Sequence, residues 1–428
     1  MSEDAHQPTE PVVDEDPRLP RLEWIKIHRF RHVEPGSTLV FGSNFNVVLG
    51  RNGTGKTTLL ELISAVVRGD FSKFAGEEFD VEYRFVQQEI SFECRFANRQ
   101  VGRTLTRRHA SEFKGTLSRD DEVLVVLDSG DVVPMLSEDE MRALHPLYIA
   151  LFEWLDGVNL GQVQGVVGFG RVLGLRRVLE QAVCVRFSEG VGIFERIFAH
   201  GEIDVRDALV FSVLDAKQEP LRNLAPHFSV GTVRGIAAKI LGREDAFGNI
   251  EISRSEAPAL EVFVDCSQYS DATLNLSLLK SDEGSYHYGN PLGRFKLRTG
   301  DQIPHYQLSF GEKRFLAFLI KLHACPSTII VDELANGMHH DWIERAVALM
   351  EDFDTQAFLS SQDPLLIDCI PLAEDTFPAR NTFVLCEIGE TGQLRWRNMS
   401  AEEAEDFFKS LAVGLERISE IMRSKGLW

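Results

Sequence analysis

The chain has 428 residues, 44% hydrophobic and 26% charged, with a formal net charge of −20. It is long enough for one large α/β domain with insertions or for two smaller domains, and no run approaches the roughly 20 apolar residues of a membrane span. Non-specific DNA binding draws its affinity from Lys and Arg displacing phosphate counterions, so the acidic balance disfavours it; Arg99, Arg103, Arg107, Arg108 and Arg171, Arg176, Arg177 form local basic clusters.

Residues 1–19 are acidic and contain proline without an apolar period, which predicts a disordered tail. The first residues offer neither a basic n-region nor an apolar h-region, so no secretory signal is expected. Six cysteines are scattered without a C-x-x-C pair. This predicts buried, reduced thiols, a cytoplasmic location and no structural zinc. Residues 22–27 alternate like a strand, 37–41 suggest a second, and 45–49 form a third, wholly apolar one.

Gly50-Arg51-Asn52-Gly53-Thr54-Gly55-Lys56-Thr57 follows at once and matches G-x-x-x-x-G-K-[ST] at every position. Leu59, Leu62, Ile63 and Val66 then fall on one helix face. Glycines let a backbone wrap a phosphate with its N–H groups inward, and the helix N-terminus adds partial positive charge there. Lys56 is expected at the β/γ-phosphates and the Thr57 hydroxyl on Mg²⁺.

Alternation over 79–85 and 89–96 predicts antiparallel strands with one wet face, and 123–127 a further strand. From 137 to about 242 the pattern turns helical. Gly157, Gly161, Gly165, Gly168, Gly170 and Gly174 exclude a long coiled coil, leaving a compact helical insertion, a lid or docking module. A helix over 171–187 is expected to pack in a core. Strand patterning returns at 259–264 and 273–278. The domains expected are the tail 1–19, a first lobe 20–136, the insertion 137–257 and a second lobe 258–428.

Ser309 and Glu312 form an S-x-x-E capping box ahead of the apolar helix beginning Phe315-Leu316. The run Thr328-Ile329-Ile330-Val331 ends in Asp332-Glu333. Asp332 is placed to hold Mg²⁺ at the strand tip, and Glu333 to polarise an attacking water as general base.

The stretch Leu308-Ser309-Phe310-Gly311-Glu312-Lys313 resembles the L-S-S-G-E-K signature of the ATP-binding-cassette (ABC) ATPases. Asp332-Glu333 with Leu334-Ala335-Asn336-Gly337-Met338-His339 is similar to the D-E-x-x-N-G-L-H form of the RecF/SMC-like branch, and Phe30-Arg31 to that branch's opening. The resemblance spans nearly the whole chain. It implies an α/β ABC-ATPase head with a mixed central sheet, an antiparallel β subdomain and the compact insertion. ATP and Mg²⁺ are the implied cofactors, held by Gly50, Asn52, Gly53, Thr54, Gly55, Lys56, Thr57, Thr58 and Arg31, with Thr57 and Asp332 on the metal. Two heads would pair head to tail, or as a higher even oligomer, with Ser309, Gly311 and Glu312 acting in trans and the Asn336 loop crossing the interface. Glu333, Lys56 and Gln362 are the implied catalytic residues; Gln362 stands where the family has its switch histidine. Gln162 and Gln164 are candidates for the glutamine between lobes.

The resemblance extends to stand-alone ATPases of anti-phage systems such as PARIS, Septu and OLD, here expected without OLD's C-terminal nuclease domain. The function implied is an ATPase gating a separate effector protein in bacterial defence. A RecF-like DNA-repair clamp is the alternative. A transporter subunit is disfavoured by the long insertion and by the Asn336-Gly337-Met338-His339 form.

Overall fold

The structure is a computed structural model. It describes residues 21–68, 71–87, 90–101, 108–119, 122–128, 131–134, 192–198, 211–214, 249–282, 285–324, 328–361, 364–374, 377–413 and 417–424. The readings made for the tail 1–19, the helix 171–187, Gln162, Gln164 and Gln362 fall outside these residues.

Three sheets are present among them. The site sits on a five-stranded sheet of β3 (Phe45–Leu49), β14 (Thr328–Val331), β15 (Gln356–Ser360), β16 (Thr382–Ile388) and β17 (Leu394–Asn398), in the order β14-β15-β3-β16-β17. The first four run parallel and β17 pairs antiparallel with β16, so the sheet is mixed. Parallel strands covered on both faces read as continuous apolar runs, and β3 is buried at all five positions. Phe45, Val47 and Leu49 enter one core cluster while Val48 enters the other.

The second cluster lies between α1 (Lys56–Arg68) and a seven-stranded antiparallel sheet, β2-β1-β4-β5-β6-β7-β8. Its strands are β1 (Arg21–Phe30), β2 (Ser37–Val40), β4 (Phe79–Gln87), β5 (Ile90–Val101), β6 (Arg108–Arg119), β7 (Glu122–Asp128) and β8 (Asp131–Pro134). Phe71 stacks on Phe79 at 5.4 Å and meets Phe96 edge-on at 4.9 Å, closing the α1 side. A side chain ties this sheet to the central one. Gln356 Nε2 donates to Leu22 O (2.8 Å) and Gly42 O (3.0 Å), while its Oε1 accepts from Leu22 N (2.9 Å).

The third sheet joins β9 (Phe211–Leu214), β10 (Ile250–Ser253), β11 (Tyr269–Asp282), β12 (Ser285–Leu297) and β13 (Gln302–Pro304). Of these, β9 and β10 are strands inside the stretch 137–257 that sequence patterning reads as helical. The short helix α2 (Gly192–Ile197) also lies in that stretch and packs on the first core cluster through Phe194 and Ile197.

The expectation of a strand over 259–264 is corrected: α3 (Pro258–Asp265) is a helix with Pro258 in its first turn. Ala259, Leu260, Phe263 and Val264 are its buried residues. That spacing serves a helix face as well as the apparent alternation serves a strand, and proline's fixed φ favours a helix start. The remaining helices are α4 (Phe310–Ala324), α5 (His340–Asp352), α6 (Pro364–Cys369), α7 (Ala401–Ala412) and α8 (Ile418–Ser424). No helix among the described residues is long and apolar enough to cross a membrane.

Candidate nucleotide site

The loop between β3 and α1 has the conformation its glycines permit. Gly50, Gly53 and Gly55 have φ of 149°, 84° and 86°. A Cβ on Gly50 would stand 2.3 Å from the Cys386 carbonyl oxygen, and one on Gly55 would stand 2.8 Å from Leu394 Cδ1 and 3.2 Å from the Trp396 ring. Nothing lies within 4 Å of the corresponding point on Gly53. The loop is therefore packed against β16 and β17 on one side and open at Arg51, Asn52 and Gly53, which are exposed.

Hydrogen bonds fix the loop from within. Thr54 Oγ1 donates to Arg51 O at 2.7 Å, and Trp396 Nε1 donates to Thr54 O at 3.2 Å. The buried Lys56 ammonium donates to Gly50 O at 2.8 Å and Arg51 O at 3.3 Å. It thus stands across the loop it is expected to serve. Burial pushes the neighbouring Cys386 thiol up to about 12, so it stays protonated and chemically quiet.

Opposite the loop, β14 delivers Asp332 at its tip. Thr57 Oγ1 donates to Asp332 Oδ2 at 2.8 Å, joining residues 275 apart in sequence. Ser360 Oγ, from the end of β15, donates to Asp332 Oδ1. A hydroxyl and a carboxylate in contact on two parallel strand ends are oxygen donors of the kind Mg²⁺ takes. The next residue, Glu333, has φ of +58°, a conformation costing a non-glycine residue on the order of 1–3 kcal/mol. It is held by two neighbours. Glu333 N donates to Ser360 O at 3.0 Å, and the buried Arg314 guanidinium donates to the carbonyl oxygens of Glu333 and, at 3.3 Å, of Asp332. Burial lowers the Arg314 pKa, though an arginine keeps its charge.

The capping box at the start of α4 is formed on both arms. Ser309 N donates to Glu312 Oε2 at 2.7 Å, and Glu312 N donates to Ser309 Oγ at 3.3 Å. Glu312 is buried and also accepts from Tyr269 OH at 3.0 Å. Burial, then the bond to Glu312, raises Tyr269 to about 12. A Cβ on Gly311 would stand 2.4 Å from Gly337 O, and one on Gly337 would stand 2.4 Å from the Phe310 ring. The signature and the Asn336-Gly337 turn are thereby one continuous surface, with Ser309, Phe310 and Asn336 exposed on it.

The structure thus brings Lys56, Thr57, Asp332 and Glu333 to the strand ends of one sheet, and Ser309, Gly311, Glu312 and Asn336 to a second cluster. Arg31 stands apart from both. Its guanidinium is paired with Glu77 at 2.7 and 2.8 Å and reaches Glu61 of α1 at 3.6 Å. The Glu77 bond raises the Arg31 pKa, and the Arg31 bond lowers that of Glu77. Thr58 is half-buried in the first turn of α1. Sequence reasoning missed Trp396, Arg314 and Ser360. Only Trp396 carried a signal, the alternating Leu394-Arg395-Trp396-Arg397-Asn398 after a glycine turn.

Two family models match the chain. Residues 25–139 match one described as "AAA domain". Residues 204–368 match one described as "AAA domain, putative AbiEii toxin, Type IV TA system". No curated protein matches the sequence. Similar solved structures include an Smc head bound to the C-terminal winged-helix domain of ScpA, at 12% identity, covering 90% of this chain and 99% of that one with a TM-score of 0.42. The SMC head domain from Thermotoga maritima is 11% identical over 89% of this chain and 100% of that one, TM-score 0.37. An Smc head with an extended coiled coil bound to the C-terminal domain of ScpA, from Pyrococcus furiosus, is 12% identical over 92% and 100%, TM-score 0.39.

With its phosphate loop at the switch of a parallel sheet, the chain has the fold of an ABC/SMC-like P-loop ATPase.

Proposed function

We propose that this chain binds ATP with Mg²⁺ and hydrolyses it between two heads paired head to tail. The observation that carries the reading is the 2.8 Å bond between Thr57 Oγ1 and Asp332 Oδ2 beside a buried Lys56. Lys56 exchanges its bonds to the Gly50 and Arg51 carbonyls for phosphate oxygens. Thr57 and Asp332 hold the metal, which neutralises phosphate charge when bound. Glu333 takes the proton of the attacking water. Ser309 and Gly311 of one head meet the γ-phosphate on the other, with Asn336 crossing between them.

The pairing lets nucleotide state gate a separate effector protein. A defence setting draws its support from the matched description that names a type IV toxin–antitoxin system. Weighing against the DNA-clamp alternative, Arg99 of the basic cluster lies 3.7 Å from Asp80, which also pairs Arg95 at 2.8 Å.

ATP binding and turnover, measured with and without linear duplex DNA over a range of salt, test both readings. Lys56→Ala should abolish binding. Glu333→Gln should retain ATP and accumulate a dimer by light scattering; normal turnover in that variant would remove the base assignment. Stimulation by DNA that fades with salt would favour the clamp.

A further inference from the structure

The helix that follows the Asn336-Gly337 turn, α5, begins with His340. Residues four apart share a helix face, and His340 Nε2 lies 3.2 Å from Glu344 Oε1. Cys369, the last residue of α6, comes up against that face. One ligand atom from each of His340, Glu344 and Cys369 lies within 4.8 Å of the other two. The three line an open cleft of about 670 Å³ between α5, α6 and the start of α8.

An imidazole nitrogen, a thiolate sulfur and a carboxylate oxygen bound at 2.0–2.3 Å in a tetrahedron stand about 3.3–3.8 Å apart. The His340–Glu344 pair already has that spacing, and small side-chain rotations bring Cys369 Sγ to it. The donor set selects the ion. Mg²⁺ and Ca²⁺ take oxygen alone, whereas Zn²⁺ takes nitrogen, sulfur and oxygen together, and the two anionic donors balance its charge. Asp368 lies in the same cleft but is engaged, accepting from Ser419 N at 2.9 Å and Ser419 Oγ at 3.0 Å. The fourth position is left to water. We infer that His340, Glu344 and Cys369 form a Zn²⁺ site that clips the start of α5 to the end of α6.

The absence of a C-x-x-C pair does not bear on such a site, because its ligands come from a helix face and a helix end 25 residues further on. The two clipped helices follow the Asn336 turn and β15 respectively. Zinc would therefore tether the segments leading away from Glu333 and Ser360, and its reading stands independently of ATP hydrolysis.

The test uses the untagged, full-length protein without nucleotide. Zn²⁺ titrated against a chromogenic chelator should show one equivalent bound. Affinity should fall at least tenfold in Cys369→Ser and in His340→Gln, variants whose metal-free melting temperature should match the wild type. Co²⁺ in place of Zn²⁺ should give a thiolate charge-transfer band in the near ultraviolet, absent from Cys369→Ser. No bound equivalent in the wild type would overturn the site. So would binding that survives both substitutions, since the ion would then sit elsewhere, as at Thr57 and Asp332.

Discussion

Arg314 touches neither the phosphate loop nor the capping box, yet it grips the two carbonyls that follow the catalytic strand. Removing it should free Glu333 to leave its left-handed conformation. A misplacement of about 1 Å can cost a reaction about a hundredfold. Arg314→Leu is therefore expected to lower turnover ten- to a hundredfold while ATP affinity changes less than about threefold. An equal loss of both would make Arg314 a fold-stabilising residue only. Gly55 poses the opposite case. Gly55→Ala puts a methyl against Leu394 and Trp396 at φ of +86°, a strained placement worth about 1–3 kcal/mol. Its melting temperature should fall and nucleotide binding with it. Lys56, Thr57, Asp332 and Glu333 were all legible before the fold because their roles demand fixed spacing from a glycine loop or a strand end. Arg314 was not. An arginine in an amphipathic helix start looks like any solvated cation until the chain brings the strand end beside it.

At the scale of elements, β17 is the unannounced buttress of the loop. Trp396 is buried and bonded to Thr54 O. Trp396→Ala should cost about 3–5 kcal/mol and weaken ATP binding, while Trp396→Phe should restore most of the stability without the bond. α4 contributes a pH response. His323 is held down to about 4, first by burial and then by the nearby Arg345 charge. The unfolded chain binds that proton at about 6.5, so stability is fully present above pH 6.5 and is lost as pH falls toward 4. The loss is about 2–3 kcal/mol at most. His323→Phe should flatten the melting temperature between those two pH values; an unchanged slope would exclude His323 as its source.

Elements differed in how far their sequences declared them. β3 and β14 are uninterrupted apolar runs because both faces are covered. β12 hides because Gly289-Asn290-Pro291 interrupts it, with Asn290 at φ of +51° and a register shift in its pairing with β11. For α3, four buried residues satisfied two periodicities at once, and only packing against the first core cluster decides between them.

For the molecule as a whole, the decisive question is whether two heads share each site. Lys56→Ala and Ser309→Arg should each be inactive alone. In a head-to-tail pair, mixing them regenerates one intact site per mixed dimer, the other site carrying both lesions. Random assortment then predicts recovery of up to about a quarter of wild-type turnover. No recovery, with mixed dimers shown to form, would mean that Ser309 does not act across the interface.

The placement of β3 carries a consequence for how the protein is made. Its neighbours on either side are β15 and β16, so Phe45 pairs with Ala357 and Asn46 with both Phe358 and Thr382. A ribosome delivers the phosphate loop early, but Asp332, Ser360 and Trp396 emerge some three hundred residues later. Pairings so distant in sequence close slowly, and a nascent chain lacking them has no partner for Thr57 or Thr54. Nucleotide capture is then among the last events of synthesis, a signal that the whole polypeptide has arrived.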